Sequence, residues 1–265
     1  MNKKTEKRPV ILVASFGTTF NSSRSITIGA IESTLAETFP DHEIRRAFTS
    51  NNIRRILRER DGISIDGIPQ ALEKLAEEGV KDVVIMPTHM MEGDEYNNKI
   101  VAEAQKFKTR FDSLKVGHAL LTTDADYDLL IDILRRTADA RDAAATALVF
   151  MGHGTEHSAN EAYSRLQRTI NARGIKNMFI GTVEATPTVE DVVEMVRKSG
   201  AKEVVLSPLM IVAGDHATND MAGNDPDSWK SIFERAGFAV RCRVTGLGSI
   251  YGVQKMIANH CREIL

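Results

Sequence analysis

Two imidazoles and one carboxylate stand just beyond the ends of three apolar runs in the second half of the chain. His153 follows the run 147–151, Glu184 follows 177–182, and His216 follows 203–207. An N/O set of this kind suits a borderline divalent ion such as Co²⁺, Ni²⁺, Fe²⁺ or Zn²⁺. Three protein ligands leave coordination positions open for water or a substrate. The same residues also suit proton transfer, since a histidine titrates near neutral pH. Taken singly, each has a plainer reading: a strand-end histidine often caps a loop, and a glutamate before a helix is favoured by the dipole. Their joint placement carries the argument, because independent structural histidines have no reason to end successive strands.

The elements that must position these residues are written twice. The stretch 198–216 reads as a helix end, a buried strand, and a loop delivering His216. Residues 77–95 repeat it without a gap, with seven of nineteen positions identical, and end on Glu95 instead. Such a repeat marks two copies of one supersecondary plan. Around it, apolar runs predict strands at 9–15, 43–49, 82–86 and 114–119, then at 147–151, 177–182, 203–207 and 238–244. Helices are predicted at 21–39 (with Asn21 or Ser22 as cap), 51–60, 68–78, 94–111, 124–139, 159–172, 187–199 (with Thr186 as cap), between 217 and 235, and at 250–264. Alternating strands and helices predict parallel sheets covered on both faces. The expected fold is α/β: two similar doubly wound domains, each with a four-stranded parallel sheet flanked by helices, facing a central cleft. The expected boundaries are 1–125 and 126–265, with the last helix, 250–265, packing back on the N-terminal half.

In open parallel sheets, ligands bind beyond the carboxyl ends of the strands, and that rule brings His153, Glu184 and His216 to one rim. His157 is a supporting candidate. His89 occupies the counterpart of Met210 and is expected to face the cleft. His118 ends a strand, while His42 and His260 fall on expected surface segments. Met90, Met91, Met210 and Met221 read as apolar lining, since thioethers prefer softer ions. Thr18, Thr19, Ser22 and Ser23, at a helix N-terminus, are placed to receive anionic groups.

Composition bounds the alternatives. The chain has 265 residues, 42% hydrophobic and 26% charged, which is enough for two cored domains. A net charge of −2 disfavours a broad nucleic-acid or anionic-membrane surface. The apolar run 10–16 is too short to span a membrane and lacks a signal-cleavage pattern, so a cytoplasmic protein is expected. Cys242 and Cys261 form no C-x-x-C pair and read as reduced thiols. No G-x-G-x-x-G follows the first strand, and neither G-x-x-x-x-G-K-[ST] nor G-x-S-x-G occurs, which disfavours nucleotide cofactors and serine hydrolysis.

At Ser15-Phe16-Gly17-Thr18-Thr19, Met151-Gly152-His153-Gly154-Thr155, Thr182-Val183-Glu184-Ala185-Thr186-Pro187, and Pro208-Leu209-Met210 through Gly214-Asp215-His216, the sequence resembles the class II chelatases. Among them it is most similar to the sirohydrochlorin cobalt chelatases of anaerobic cobalamin (vitamin B12) biosynthesis. The resemblance covers essentially the whole chain. It implies insertion of Co²⁺, as substrate metal, into the tetrapyrrole sirohydrochlorin, with no nucleotide and no organic cofactor. It further implies that His153 and His216 handle metal and accept pyrrole protons, that Glu184 is the third ligand, and that Glu92 or Glu95 is an additional acid near the macrocycle. Repeat register favours Glu95, which stands where His216 stands. Phe16 stands where His153 stands, so one metal site is expected. Thr18, Thr19, Ser22 and His89 are expected to meet the substrate. Arg54, Arg55 and Arg58 could meet its carboxylates, but a solvated helix face is the preferred reading for them. Three alternatives stay open: insertion of Fe²⁺ for sirohaem, insertion of Ni²⁺, and a non-catalytic metal- or tetrapyrrole-binding protein. A homo-oligomer is left open as well.

Overall fold

Two four-stranded parallel sheets organise the chain, each built around its own first strand. The computed structural model describes residues 7–137 and 145–265. The chain divides into two compact units: residues up to Leu120 together with Gln254–Leu265, and Leu121–Val253.

In the first unit, β1 (Val10–Ser15) lies between β2 (Glu43–Phe48) and β3 (Asp82–Pro87), with β4 (Ser113–Val116) outside β3. Val10 is in register with both Glu43 and Val83. In the second unit, β5 (Thr146–Gly152) lies between β6 (Met178–Thr182) and β7 (Glu203–Pro208), with β8 (Ala239–Cys242) outside β7. Leu148 is in register with Met178 and with Val205. Every residue of β1 and of β5 is buried, whereas the outer strands β2, β4 and β8 are largely half-buried. That is why β1 and β5 are near-continuous apolar runs: a central parallel strand has helices over both faces.

The helices are α1 (21–38), α2 (Asn51–Asp61), α3 (Ile68–Glu77), α4 (94–107), α5 (Asp124–Arg136), α6 (Glu161–Ala172), α7 (Val189–Ser199), α8 (Trp229–Arg235) and α9 (Tyr251–Ile264). Their apolar stripes close the cores. Leu72 and Leu75 of α3 and Ile100 of α4 pack with Leu12, Ala14 and Ile85 of the first sheet. Val192 and Val196 of α7 and Trp229 and Phe233 of α8 pack with Val149, Met151 and Leu206 of the second. On α9, Gln254 accepts a 2.8 Å hydrogen bond from Thr34 Oγ1 of α1.

Several boundaries differ from the expectation. α7 begins at Val189 because Thr188 caps it: its hydroxyl accepts from Asp191 N–H, and Asp191 carboxylate accepts from Thr188 N–H. Pro187 stays in the loop, after a cis Thr186–Pro187 bond, with its carbonyl accepting from Thr182 N–H. The helix start after β1 has no side-chain cap; Phe20 holds the cap position. α1 and α4 are interrupted by π-helical turns at Ser25–Gly29 and Asn97–Val101, and another π turn, Ala217–Met221, replaces the first of the helices expected after His216. α5 is described to Arg136, and residues 138 and 139 of its expected span lie outside the described residues. His260 is buried rather than on the surface, 8% exposed, because α9 turns that face inward.

Phe233 is fully buried and stacks edge-on near Phe238, with ring centroids 5.8 Å apart. Phe233→Ala should lower the unfolding free energy by about 3–5 kcal/mol. Denaturation followed by fluorescence of Trp229, the only tryptophan of the chain and a member of the same cluster, measures this directly.

Candidate metal centre

The order β6-β5-β7 places the loops after three adjacent strands at one edge of the second sheet. Ladder hydrogen bonds continue past the strand ends and hold those loops together. Val183 N–H donates to Gly152 carbonyl at 3.1 Å, Glu184 N–H to His153 carbonyl at 2.9 Å, and Leu209 N–H to Met151 carbonyl at 2.7 Å. The second loop is therefore tied directly to the histidine of the first.

Two glycines let the first loop run where it does. A Cβ at Gly152 would lie 2.2 Å from the Tyr163 ring. Gly154 has φ +89°, and a Cβ there would lie 2.8 Å from Ala185 N. A side chain at position 154 would thus be strained in backbone and clash with the loop that carries Glu184. Asn160 fastens the same two loops, with its Oδ1 accepting from Thr155 N–H at 3.1 Å and its Nδ2 donating to Thr186 carbonyl at 2.9 Å.

The outcome is a cluster. Ligating atoms of His153, Glu184 and His216 lie within 4.8 Å of one another. The imidazole rings meet edge to face with centroids 4.5 Å apart. His153 Nδ1 is 2.9 Å from Gly154 carbonyl and 3.5 Å from Glu184 Oε2. His216 Nδ1 is 2.5 Å from Asp220 Oδ2. In both rings Nδ1 therefore carries the proton it donates, and the lone pair is left on Nε2. A bound ion with bonds of about 2.1 Å draws its ligands to about 3–3.5 Å from one another, so capture needs side-chain movement of about an ångström. All three residues retain solvent access, His216 least exposed, and the two carboxylates of Glu184 and Asp220 bias the site toward cations.

Asp220, Asn160 and Tyr163 escaped the sequence reading. For Asp220 the signal was available: His216 and Asp220 are four apart and share a helical face. The fixing of the loop by Asn160 has no local signature. His157 does not enter the cluster; its Nδ1 accepts from Ala159 N–H at 3.0 Å and caps a short turn.

The remaining expected residues belong to the first unit. Glu92 is 3.0 Å from His118 Nδ1. The Tyr96 phenol donates to Gly117 carbonyl, and burial, then the nearby Glu92 charge, pushes its pKa up to about 12. Glu95, half-buried, sits on the first turn of α4. Thr18 is buried, and its hydroxyl oxygen accepts from Phe20 N–H at 3.2 Å. Thr19 carbonyl accepts from Arg60, and Ser22 is exposed. Both ring nitrogens of His89 are buried with no hydrogen-bond partner, and desolvation pushes the ring down to about 4. Met221 is fully buried core, as an apolar reading requires.

An α/β protein that gathers two histidines and a glutamate at the carboxyl edge of a parallel sheet, with open coordination positions, is a metal-handling protein in class. The comparisons narrow it. A family profile described as "Cobalt chelatase (CbiK)" matches residues 9–265. The chain is 41% identical over 258 residues to the sirohydrochlorin cobaltochelatase of Salmonella typhimurium, covering 97% of each protein. It is 34% identical over 233 residues to the sirohydrochlorin cobaltochelatase CbiKC of Nitratidesulfovibrio vulgaris, covering 88% of this chain and 81% of that one. Among solved structures, SirB from Bacillus subtilis with Fe³⁺ superposes with TM-score 0.65 at 13% identity, over 97% of this chain and 95% of that one. CbiX, described as the terminal enzyme of sirohaem biosynthesis in denitrifying bacteria, gives 0.58 at 18% identity, over 97% and 100%. At these identities the two structures establish a shared fold. The chain belongs to the cobalt chelatase (CbiK) family.

Two outcomes test this description. Asp220→Ala should weaken Co²⁺ binding about 10- to 100-fold by releasing the His216 ring, read by titrating the visible absorbance of bound Co²⁺. For His89, the folded pKa lies below the ordinary value of 6.5. Between the two values the unfolded chain takes up a proton that the folded chain does not, so stability is full above about pH 6.5 and falls toward pH 4, by about 3 kcal/mol at most. Urea midpoints across that window should fall less steeply in His89→Leu.

Proposed function

We propose that this protein inserts Co²⁺ into sirohydrochlorin, giving cobalt-sirohydrochlorin in anaerobic cobalamin biosynthesis, without nucleotide hydrolysis. The observation that carries the reading is the convergence of His153, Glu184 and His216 within 4.8 Å in a member of the cobalt chelatase family. The relatives' names supply the substrate, and the donor set supplies a chemistry that fits it.

Metalation replaces two pyrrole protons with one divalent ion, so the protein must hold the ion loosely and accept protons. An N₂O set with open positions does the first; a closed thiolate cage would retain the metal. The second falls to the imidazoles. Nε2 of each ring holds a lone pair because Nδ1 is committed, to Gly154 carbonyl in His153 and to Asp220 in His216. As the ion passes to the macrocycle nitrogens, Nε2 is freed to take a pyrrole proton, while Asp220 keeps the His216 ring oriented. Solvent exposure of the site then lets the proton leave.

In the first unit, Glu92 is the stronger candidate for the additional acid, since His118 holds it at 3.0 Å. His89 is kept neutral by burial, with both ring nitrogens out of solvent and without a hydrogen-bond partner among the described residues. Thr19 and Ser22 remain candidates for its carboxylates through backbone and hydroxyl groups. Thr18 is buried, which sets it behind Thr19 and Ser22 as a candidate. We place the enzyme in the cytoplasm, in keeping with two free cysteines, Cys242 and Cys261. No described helix is long and apolar enough to cross a membrane.

The test follows the visible spectrum of sirohydrochlorin with Co²⁺ under anaerobic conditions, at protein well below substrate. The parent should convert many equivalents of macrocycle, and His153→Ala and His216→Ala should each lose about 100-fold or more. Glu92→Gln should slow the reaction more than Glu95→Gln. No rate above the protein-free control would sink the chelatase reading, and activity retained in both histidine variants would move the site elsewhere. Parallel runs with Fe²⁺ and Ni²⁺ rank the metals.

A further inference from the structure

The first unit carries a group of arginines that lies outside the candidate metal cluster. α1, the edge strand β2, α2 and the connection 62–67 enclose two open hollows that share Ser64 and Ile65 as a wall. The larger, about 830 Å³, is lined by Arg24, Arg45 and Arg46 with Glu32 and Asp66. The smaller, about 140 Å³, is lined by Arg54, Arg55 and Arg58 with Asn51.

Pairing the charges leaves a remainder. Arg46 is bound to Glu32 at 2.5 Å, and Arg45 to Glu43 and Glu78 at 2.7 and 2.6 Å. Asp66 is taken by Lys74 at 2.7 Å, and Arg55 by Glu59 at 2.6 Å. Among the described residues, Arg24, Arg54 and Arg58 have no carboxylate partner. Arg24 is 8% exposed, and its side chain reaches one carbonyl, that of Thr18, at a long 3.5 Å. Desolvation lowers its pKa, with Arg46 and Arg60 acting in the same direction. Asp61 opposes them, but it is already bound to Arg60 at 2.6 Å. Arg54 is held by two neutral amides, Asn51 at 2.6 Å and Gln70 at 3.3 Å, and its Nε is buried without a partner. Arg58 is exposed.

A guanidinium removed from water without a counter-charge is costly, and a chain that retains one beside a cavity is prepared for an anion. The planar fork of arginine matches the paired oxygens of phosphate and carboxylate alike. The larger hollow exceeds what one oxyanion fills and lies in the range of small-molecule sites.

We propose that this face binds a small organic polyanion with at least two phosphate or carboxylate groups, one held by Arg24 and another by Arg54 with Arg58, across the Ser64–Ile65 ridge. Ser33 and Ser64 line the route between the two anchors. None of its lining residues belongs to the cluster of His153, Glu184 and His216.

Isothermal titration tests this with the full chain in metal-free, phosphate-free buffer at low salt. Pyrophosphate serves as the phosphate probe and tricarballylate as the carboxylate probe. At least one should bind one per chain with Kd below about 1 mM, and the stronger binder names the class. Arg24→Gln, and separately the pair Arg54→Gln and Arg58→Gln, should each weaken binding about tenfold or more. The pair His153→Ala and His216→Ala should leave it unchanged. If Arg24→Gln fails to fold, the α2 pair decides. Absence of binding by both probes at about 10 mM, retention in the arginine variants, or loss in the histidine variants would each overturn the proposal.

Discussion

Parallel pairing of β5 between β6 and β7 is the constraint from which the candidate metal centre follows. Parallel strands all end on one edge, and a central strand flanked on both sides delivers three loops there. The ladder then runs beyond the strands, so that Glu184 N–H bonds the carbonyl of His153 itself. Side-chain positions are inherited from backbone hydrogen bonds, which tolerate little slippage because a one-residue shift would exchange the two packed faces of β5. Glycines at 152 and 154 permit the close approach that this pairing demands.

The same plan appears in the first unit with different residues at its edge. Phe16 stands where His153 stands and is half exposed, and Glu95 stands where His216 stands. One copy of the repeat thus presents imidazoles, and the other presents an aromatic ring, carboxylates and the unpaired ring of His89. Duplication of a scaffold followed by divergence at strand ends costs little stability, since those positions are outside the apolar cores that hold the sheets together.

Charge is partitioned in the same spirit. A carboxylate stands beside each imidazole of the candidate metal centre, where it favours a cation. Unpaired arginines collect at the β2 edge, where they favour an anion. A net charge of −2 conceals both, because it averages over two local fields of opposite sign.

Element order, parallel sheets and the strand-end positions of His153, Glu184 and His216 were legible in the chain itself. Burial on both faces writes central strands as apolar runs, and right-handed crossovers leave few ways to connect them. Repeat register pointed to Glu95, but it could not show that His118 pairs with Glu92, a contact across 26 residues that no local pattern encodes. The π turns after β1, β3 and β7 were invisible for a related reason, since an extra residue in a helix leaves the apolar period almost unchanged. Tertiary structure alone decided that Asp220 orients His216, that Thr18 is buried, and that Arg24 is buried without a carboxylate partner among the described residues. Each of these depends on where a side chain finds its partner after the backbone has closed, and composition and spacing do not specify that.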